Sequence, residues 1–468
     1  MNIKEKQLLK NTIIVSIGKI CTQLVTFFLL PLYTSALTTK EYGAVDLLNT
    51  IIGLLLPIVT LQLEQGVFRF LIDVRNEYEK QKKIITSIFF IVLLQLLIVI
   101  ILSIVIGPYI QNDYKYYLVL NLIAQVVSSI FLQVSRGLGD NMTYSVGSFI
   151  SGLSTVLLNV FFITILKTGA YGMLAATFIG NVICSIFIFF KLKMYTFINI
   201  KEFDISFVKN VIEYSIPLIP NSISWWIVNA SDRSIISIFL GVGANGIYSA
   251  ANKFSNVLST FYSVFNLTWT ESASLYIDSK SSSTFFSRIL DAIIRLFGGL
   301  CIIIIVYMPF IFPIMINESY GEAYLQIPIL IASVFFNILV SFLGSIYIAK
   351  KITNEIAKTS IYAGIINIIV NLLLIKHIGL FAASISTAIA YFLMFLYRWF
   401  DSKKYIKILV NYKLIIQLVL IFVFVLISYY INNNILNMTM AIIGTMYVVY
   451  MNKQYIYLGY LFVKNQFF

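Results

Sequence analysis

Two sets of residues have the types and spacing to line one helical face with hydrogen-bonding groups and a cation. Thr12, Ser16, Lys19, Gln23 and Thr26 are separated by four, three, four and three positions, which keeps them on one helical face. Ser249, Asn252, Asn256, Ser259, Ser263, Asn266 and Thr270 alternate by three and four, with Lys253 beside Asn252 and one turn from Ser249. A lipid-facing helix has no use for regularly spaced amides and hydroxyls, and an intramembrane ammonium needs a partner or water. Hydrogen bonding between helices is the structural alternative for any single Ser or Thr. Two aligned stripes that each bear a lysine favour a watery cavity. Lys19 lies about nine residues into its apolar run, a long reach for snorkelling.

Further charge falls within or beside apolar runs. Asp232 and Arg233 come toward the outer end of one run, with Ser222 and Asn229 on nearby turns. A buried cation needs a partner or water, so Arg233 is a substrate-binding candidate along with Lys19, Lys253, Gln23, Asn252 and Asn256. An ion pair between helices is the structural alternative for Asp232 and Arg233. Asp46, Glu64, Arg69 and Asp232 form a second set, suited to ion coupling or to structural pairing. Arg69 has a plainer reading as a topology charge.

These side chains must be positioned by membrane helices. Of 468 residues, 59% are hydrophobic and 11% charged, against roughly 25% charge in a soluble domain. The fold class expected is an all-α polytopic membrane protein with about fourteen spans, each needing roughly 20 apolar residues. Spans are expected near 11–36, 43–66, 84–107, 116–137, 143–165 and 170–190, then near 210–238, 246–270, 287–315, 324–348, 358–376 and 379–399. Two more follow near 409–431 and 434–451, where four Asn residues crowd the start of the last. The domains expected are 1–200, 201–405 and 406–468: two six-helix lobes around a central cavity, then two C-terminal helices.

Charge tests this layout independently of hydropathy. With an inside N-terminus, 26 of the 33 Lys and Arg fall on inside segments and four (Lys40, Lys115, Lys167, Lys376) outside. That alternation obeys the positive-inside rule and puts both termini in the cytoplasm. The net charge of +13 therefore reads as loop topology, and a nucleic-acid partner is set aside. The basic start leads into an apolar run with no small-residue cleavage site, so it reads as a retained span.

Leu37, Gly43 and Asn49 recur 203 positions later as Leu240, Gly246 and Asn252. The echo joins equivalent span junctions and suggests parallel repeats, with a substrate path between the halves. Pro57, Pro217 and Pro220 interrupt spans and permit bends.

Other signals carry no chemistry. Gly241-Val-Gly-Ala-Asn-Gly246 matches a dinucleotide fingerprint but follows no strand, and reads as a turn. Cys21, Cys184 and Cys301 are scattered in apolar runs, and His377 is the one histidine, so no metal site or disulfide is expected. Glu318 and Glu322 read as loop solvation; outer loops are too short for a glycosyltransferase site.

Several segments resemble the polysaccharide (O-antigen, Wzx-type) flippases. They are Asn11 to Asp46, with Pro-Leu-Tyr-Thr at 31–34 and Lys-Glu-Tyr-Gly-Ala-Val-Asp at 40–46; Glu64 to Phe70; Ser-Asp-Arg at 231–233; and Gly-Ile-Tyr-Ser-Ala-Ala-Asn-Lys at 246–253. That family belongs to the superfamily of the lipid II flippase and the multidrug and toxin extrusion exporters. The resemblance implies a non-enzymatic transporter of the bacterial inner membrane. It would move undecaprenyl-pyrophosphate-linked oligosaccharides to the outer leaflet by alternating access, with no cofactor beyond a Na+ or H+ gradient. Membrane lipids, a polysaccharide polymerase and other assembly proteins are the partners it implies. An ion-coupled exporter of small drugs is the alternative within the same fold.

Overall fold

The computed structural model describes residues 26–109 and 111–467. Thr12, Ser16, Lys19, Cys21 and Gln23 lie outside the described residues. The chain is an all-α polytopic membrane protein, and it divides into two compact units, one ending at Gly246 and the other beginning at Ile247.

In the first unit the α-helices are α1 (Leu30–Ala36), α2 (Thr39–Val59), α3 (Leu63–Asp73), α4 (Tyr78–Ile106), α5 (Lys115–Gly137), α6 (Asn141–Val160), α7 (Gly169–Lys191), α8 (Ile205–Ser215) and α9 (Ile219–Phe239). Helix α10 (Val242–Tyr276) starts in the first unit and continues in the second. The second unit adds α11 (Ser282–Met315), α12 (Ala323–Ala349), α13 (Thr353–Ile378), α14 (Phe381–Ser402), α15 (Tyr412–Ile431) and α16 (Asn434–Phe467).

Local chemistry sets several of these ends. Thr38 starts α2 with a capping box: its hydroxyl accepts from the Glu41 amide at 3.2 Å, and the Glu41 carboxylate accepts from the Thr38 amide at 2.9 Å. Asp140 caps α6 through the Thr143 amide at 2.9 Å, and Asn411 caps α15 through the Leu414 amide at 3.2 Å. Helix α15 stops at Asn432, in the left-handed region at φ 51°.

Two expected spans are broken beside their prolines. Past Pro57, α2 gives way at Leu61 and Gln62, both at positive φ, and α3 begins in a new direction. The span expected at 210–238 resolves into α8, a 3-10 turn at Ile216–Leu218 holding Pro217, and α9 with Pro220 in its first turn. A missing amide donor in each case frees a carbonyl one turn upstream.

Among the described residues, eleven helices are long and apolar enough to cross a membrane. They correspond to the spans expected second to sixth and ninth to fourteenth, with α4 starting at Tyr78 and taking in the basic Lys80, Lys82 and Lys83. The spans expected seventh and eighth exist as α9 and α10, 21 and 35 residues long. They are absent from the eleven because of their polar residues, and these are the helices that carry the candidate site.

Aliphatic packing holds each unit. Leu63, Val67 and Leu71 of α3 are buried against Ile85 and Ile88 of α4 and Val134 of α5. In the second unit α14 packs along α12 and α13. Ala382, Ala383, Ser386 and Ala390 are fully buried on α14, small side chains that let helix backbones approach in lipid, where apolar burial alone gives no drive.

Candidate functional site

In the first unit the site grows from the start of α2. One turn past the Thr38 cap, Gly43 brings α2 against the first turn of α10. A methyl on Gly43 would overlap the Val242 carbonyl oxygen, and one on Gly246 the Thr39 carbonyl oxygen. Gly43 and Gly246 are the echo pair, and so are Thr39 and Val242, at the same offset of 203. The Gly241 to Gly246 segment is thus a turn at Gly241, φ 91°, followed by a helix start whose last glycine permits the crossing.

The crossing delivers Asn245, which is 0% exposed. Its side-chain amide donates to the Gly43 carbonyl at 3.0 Å and to Asp46 Oδ2 at 3.3 Å. The same Asp46 oxygen lies 3.1 Å from Arg233 Nε, the two side chains being 18% and 21% exposed. Arg233, read from sequence as a substrate contact, is therefore ion-paired with Asp46. Asp232 is buried beside it on α9.

Below this pair, α2 and α9 are laced at further levels. The Trp226 indole donates to the Thr50 carbonyl at 2.7 Å, and the Gln62 amide donates to Ser222 Oγ at 3.0 Å. The seam thus carries polar contacts at three levels.

Glu64 and Arg69, close in sequence, do not meet. Arg69 turns outward to Asp73 at 2.6 Å, a helical surface pair screened by solvent. Glu64 stays inside at 7% exposure in the first turn of α3, with Oε2 lacking a hydrogen-bond partner. Helix-start amides favour negative charge there.

The α10 stripe belongs, from Ile247 onward, to the second unit. Tyr248, Ala251, Phe254, Ser255, Leu258 and Tyr262 bury one face. Asn252, Ser259, Ser263, Asn266 and Thr270 are half-buried and Asn256 is exposed, while Ser249 alone of the stripe lies inside. Much of the stripe bonds along its own helix: Asn252 donates to the Tyr248 carbonyl at 3.0 Å, and Thr270 donates to the Asn266 carbonyl at 2.8 Å. Lys253 is half-buried beside it.

Two polar clusters of the second unit escaped the sequence reading. Arg398, at the end of the apolar run expected near 379–399, is 3% exposed inside α14. Its guanidinium donates to Thr359 Oγ1 at 2.7 and 3.1 Å and to the Val340 carbonyl at 3.1 Å. Tyr347 donates to Asp401 at 2.9 Å, and Asp401 pairs with Lys404 at 2.6 Å. Deeper, Asn367 donates to Thr387 Oγ1 at 3.0 Å and Ser384 to Gln326 Oε1 at 2.6 Å. The signal available was Asn367 and Asn371 one turn apart in an apolar span facing Ser384 and Thr387 in the next. Among the described residues, no three His, Cys, Asp or Glu side chains gather as metal ligands would.

The family model described as polysaccharide biosynthesis protein matches residues 8–269, more than half of the 468. The chain belongs to the polysaccharide biosynthesis protein family. No curated protein sequence matches it. Among solved structures, this family member is similar to the lipid II flippase MurJ in an inward closed conformation, with TM-score 0.70 and 15% identity over 95% of this chain and 100% of that one. It is also similar to a multidrug resistance MATE family transporter of the MOP superfamily, inward-facing, with TM-score 0.64 and 13% identity over 83% and 98%. A mutant of the Vibrio cholerae MATE transporter VcmN gives TM-score 0.58 and 14% identity over 85% and 96%. The polysaccharide biosynthesis family member thus shares its fold with a flippase and with transporters, one of them of the MOP superfamily.

Proposed function

We propose that this protein is a flippase that carries a lipid-linked oligosaccharide, with undecaprenyl pyrophosphate as the lipid carrier, from the inner to the outer leaflet of a bacterial cytoplasmic membrane. The observation that carries the reading is the polar face of α10, set on a membrane-length helix in a chain of the polysaccharide biosynthesis family. Asn252, Asn256 and Lys253 lie at or beside the unburied face, where amides can meet sugar hydroxyls and an ammonium can meet phosphate. Leaving pyrophosphate uncompensated in hydrocarbon would be prohibitive, whereas its lipid tail can stay in the bilayer. Lys19 and Gln23 are proposed to extend this surface, and Arg233 to contribute after release from Asp46.

On this reading two lobes, near 1–200 and 201–405, alternate in exposing a cavity, and the last two helices stand beside them. Both termini face the cytoplasm. The protein is a transporter and catalyses no covalent step. A Na+ or H+ gradient resets it. Of the four acidic or basic candidates for coupling, Asp46 is engaged by Arg233 and Arg69 by Asp73; Glu64, buried with an Oε2 that accepts no hydrogen bond, is the one proposed to couple. A polysaccharide polymerase and other assembly proteins receive the product.

The test is complementation of a strain lacking the gene. Lys253→Ala and Lys19→Ala, expressed at wild-type levels, are expected to abolish surface polysaccharide and to accumulate the lipid-linked unit inside. Unchanged display would refute their role. The MATE likeness supports a second reading, an ion-coupled exporter of small molecules. That reading expects drug susceptibility to rise on deletion while polysaccharide stays normal. Sugar transfer by the purified protein would instead point to an enzyme.

A further inference from the structure

A cavity of about 450 Å³ lies within the second unit, bounded by α11, α12, α14 and α15. Its wall is apolar: Ile294, Ala332, Phe336, Leu339, Phe395 and Phe422 are representative. The size falls in the range of sites that hold small molecules, roughly 300–1,000 Å³. Val419, Phe400 and Tyr412 on its rim are exposed, so it opens to the side.

Its depth has a natural measure. On α11 it runs from Leu290 to Cys301 and on α15 from Tyr412 to Phe422. At 1.5 Å per residue these stretches rise about 16 and about 15 Å. That is half of a hydrocarbon core of roughly 30 Å, one leaflet. Trp399 and Tyr412 stand at one end, as amphipathic aromatics do at a membrane interface.

The same end carries unneutralised positive charge. Helices α14 and α15 are joined by a basic segment in which Lys404 is held by Asp401. Lys403, Lys407 and Lys413 are exposed and have no carboxylate within ion-pair distance among the described residues. Lys403 Nζ sits 4.9 Å from the ring centre of Phe400, itself a wall residue. The segment is also pre-shaped: Ser283 of α11 donates to the Lys407 carbonyl, and Ser287 accepts from the Leu409 amide at 2.8 Å.

We propose that this groove is a binding site for one anionic phospholipid of the inner leaflet, its acyl chain along α11 and α15 and its phosphate among Lys403, Lys407 and Lys413. An apolar slot one leaflet deep, at whose end runs a basic segment with an anchored backbone, is complementary to that molecule at both ends, and basic pockets between membrane helices select anionic headgroups. The site is independent of the transported glycan.

The full chain, purified and delipidated, is titrated with phosphatidylglycerol and with phosphatidylcholine, and bound lipid is read by native mass spectrometry. Phosphatidylglycerol is expected to bind about tenfold more tightly. A Lys403→Gln, Lys407→Gln, Lys413→Gln variant is expected to lose the preference while keeping its fold. Val419→Trp, a bulky ring on the exposed lip, is expected to lower occupancy by both lipids. A phosphatidylglycerol with a photoreactive acyl chain is expected to label α11, α12, α14 or α15. Equal binding of the two lipids, a preference that survives the lysine changes, or label placed elsewhere would overturn the proposal. Displacement of phosphatidylglycerol by an equal concentration of a polyprenyl phosphate would also overturn it, giving the groove to the carrier's tail.

Discussion

Gly43 and Gly246 face each other where α2 meets the first turn of α10, and each lies against the carbonyl of the residue four before the other, Val242 and Thr39. The contact is reciprocal at the repeat offset of 203 positions. Two backbones pack here with no side chain between them. Gly43→Leu or Gly246→Val drives carbon into a carbonyl group that has no rotamer to yield, and should destabilise by about 1–3 kcal/mol or more. Thermal unfolding of the detergent-solubilised protein measures it; an unchanged midpoint would contradict the close crossing.

Asp46 and Arg233 should behave as a coupled pair. Asp46→Asn strands a guanidinium that is about four-fifths buried, and a loss of about 1–3 kcal/mol is expected, between the surface and fully buried cases. The double variant Asp46→Arg, Arg233→Asp separates two roles. Restored stability with restored transport means the pair is structural; restored stability without transport means Arg233 also meets substrate. A double-mutant cycle with no coupling would sink the pair altogether.

Arg398 is secured by hydroxyl and carbonyl groups. Thr359→Val deletes the acceptor shared by two of its donors and is expected to cost about 1–3 kcal/mol. Thr359→Ser should be near neutral. Equal effects of the two substitutions would show that the hydroxyl is not what matters.

Asp204, in the connector before α8, pairs with Lys83 at 2.6 Å and caps the helix through the Ser206 and Phe207 amides. The hydrogen bond from Lys83, then that from the Phe207 amide, hold its carboxyl below the usual carboxylate range. A lowered folded value means that the stabilisation is present above the unfolded carboxylate value, about 3.9, and is lost as pH falls through the folded one. Hydrogen exchange in α8 should therefore quicken on acidification below about pH 4, and Asp204→Asn should flatten that dependence. A pH profile unaffected by the substitution would disprove the linkage.

Glu64→Gln tests coupling. It keeps the shape of a buried side chain and removes its proton chemistry, so stability should hold while gradient-driven transport falls. Wild-type transport in Glu64→Gln would remove Glu64 from the candidates and leave Asp46 and Asp232 as the acids of the set.

The membrane helices were legible because hydrocarbon imposes a strong and local rule: a long apolar run and few charges, with lysines on one side. The same rule made α10 legible as a stripe, since its unburied face keeps the three-four spacing over Asn252, Asn256 and Ser259. Partner choice is not local. Arg398 looks like its neighbours Lys403 and Lys404 in sequence; only the approach of Thr359 and the Val340 carbonyl distinguishes it. Likewise Arg233 carries no sign that Asp46 lies across from it. The glycine echo was visible, but its meaning as a contact depended on a crossing that no window of sequence contains.

The seam of α2 and the break after it against α9 is fastened by rungs: Asp46 to Arg233, the Thr50 carbonyl to Trp226, and Gln62 to Ser222. Each rung ends in polar groups whose hydrogen bonds water can take over, so such a junction can be wetted open tooth by tooth. The interlocked small residues along α14 have no such substitute and stay shut as a block. The first unit thus holds a zip and the second a brick, two kinds of fastening with different answers to water.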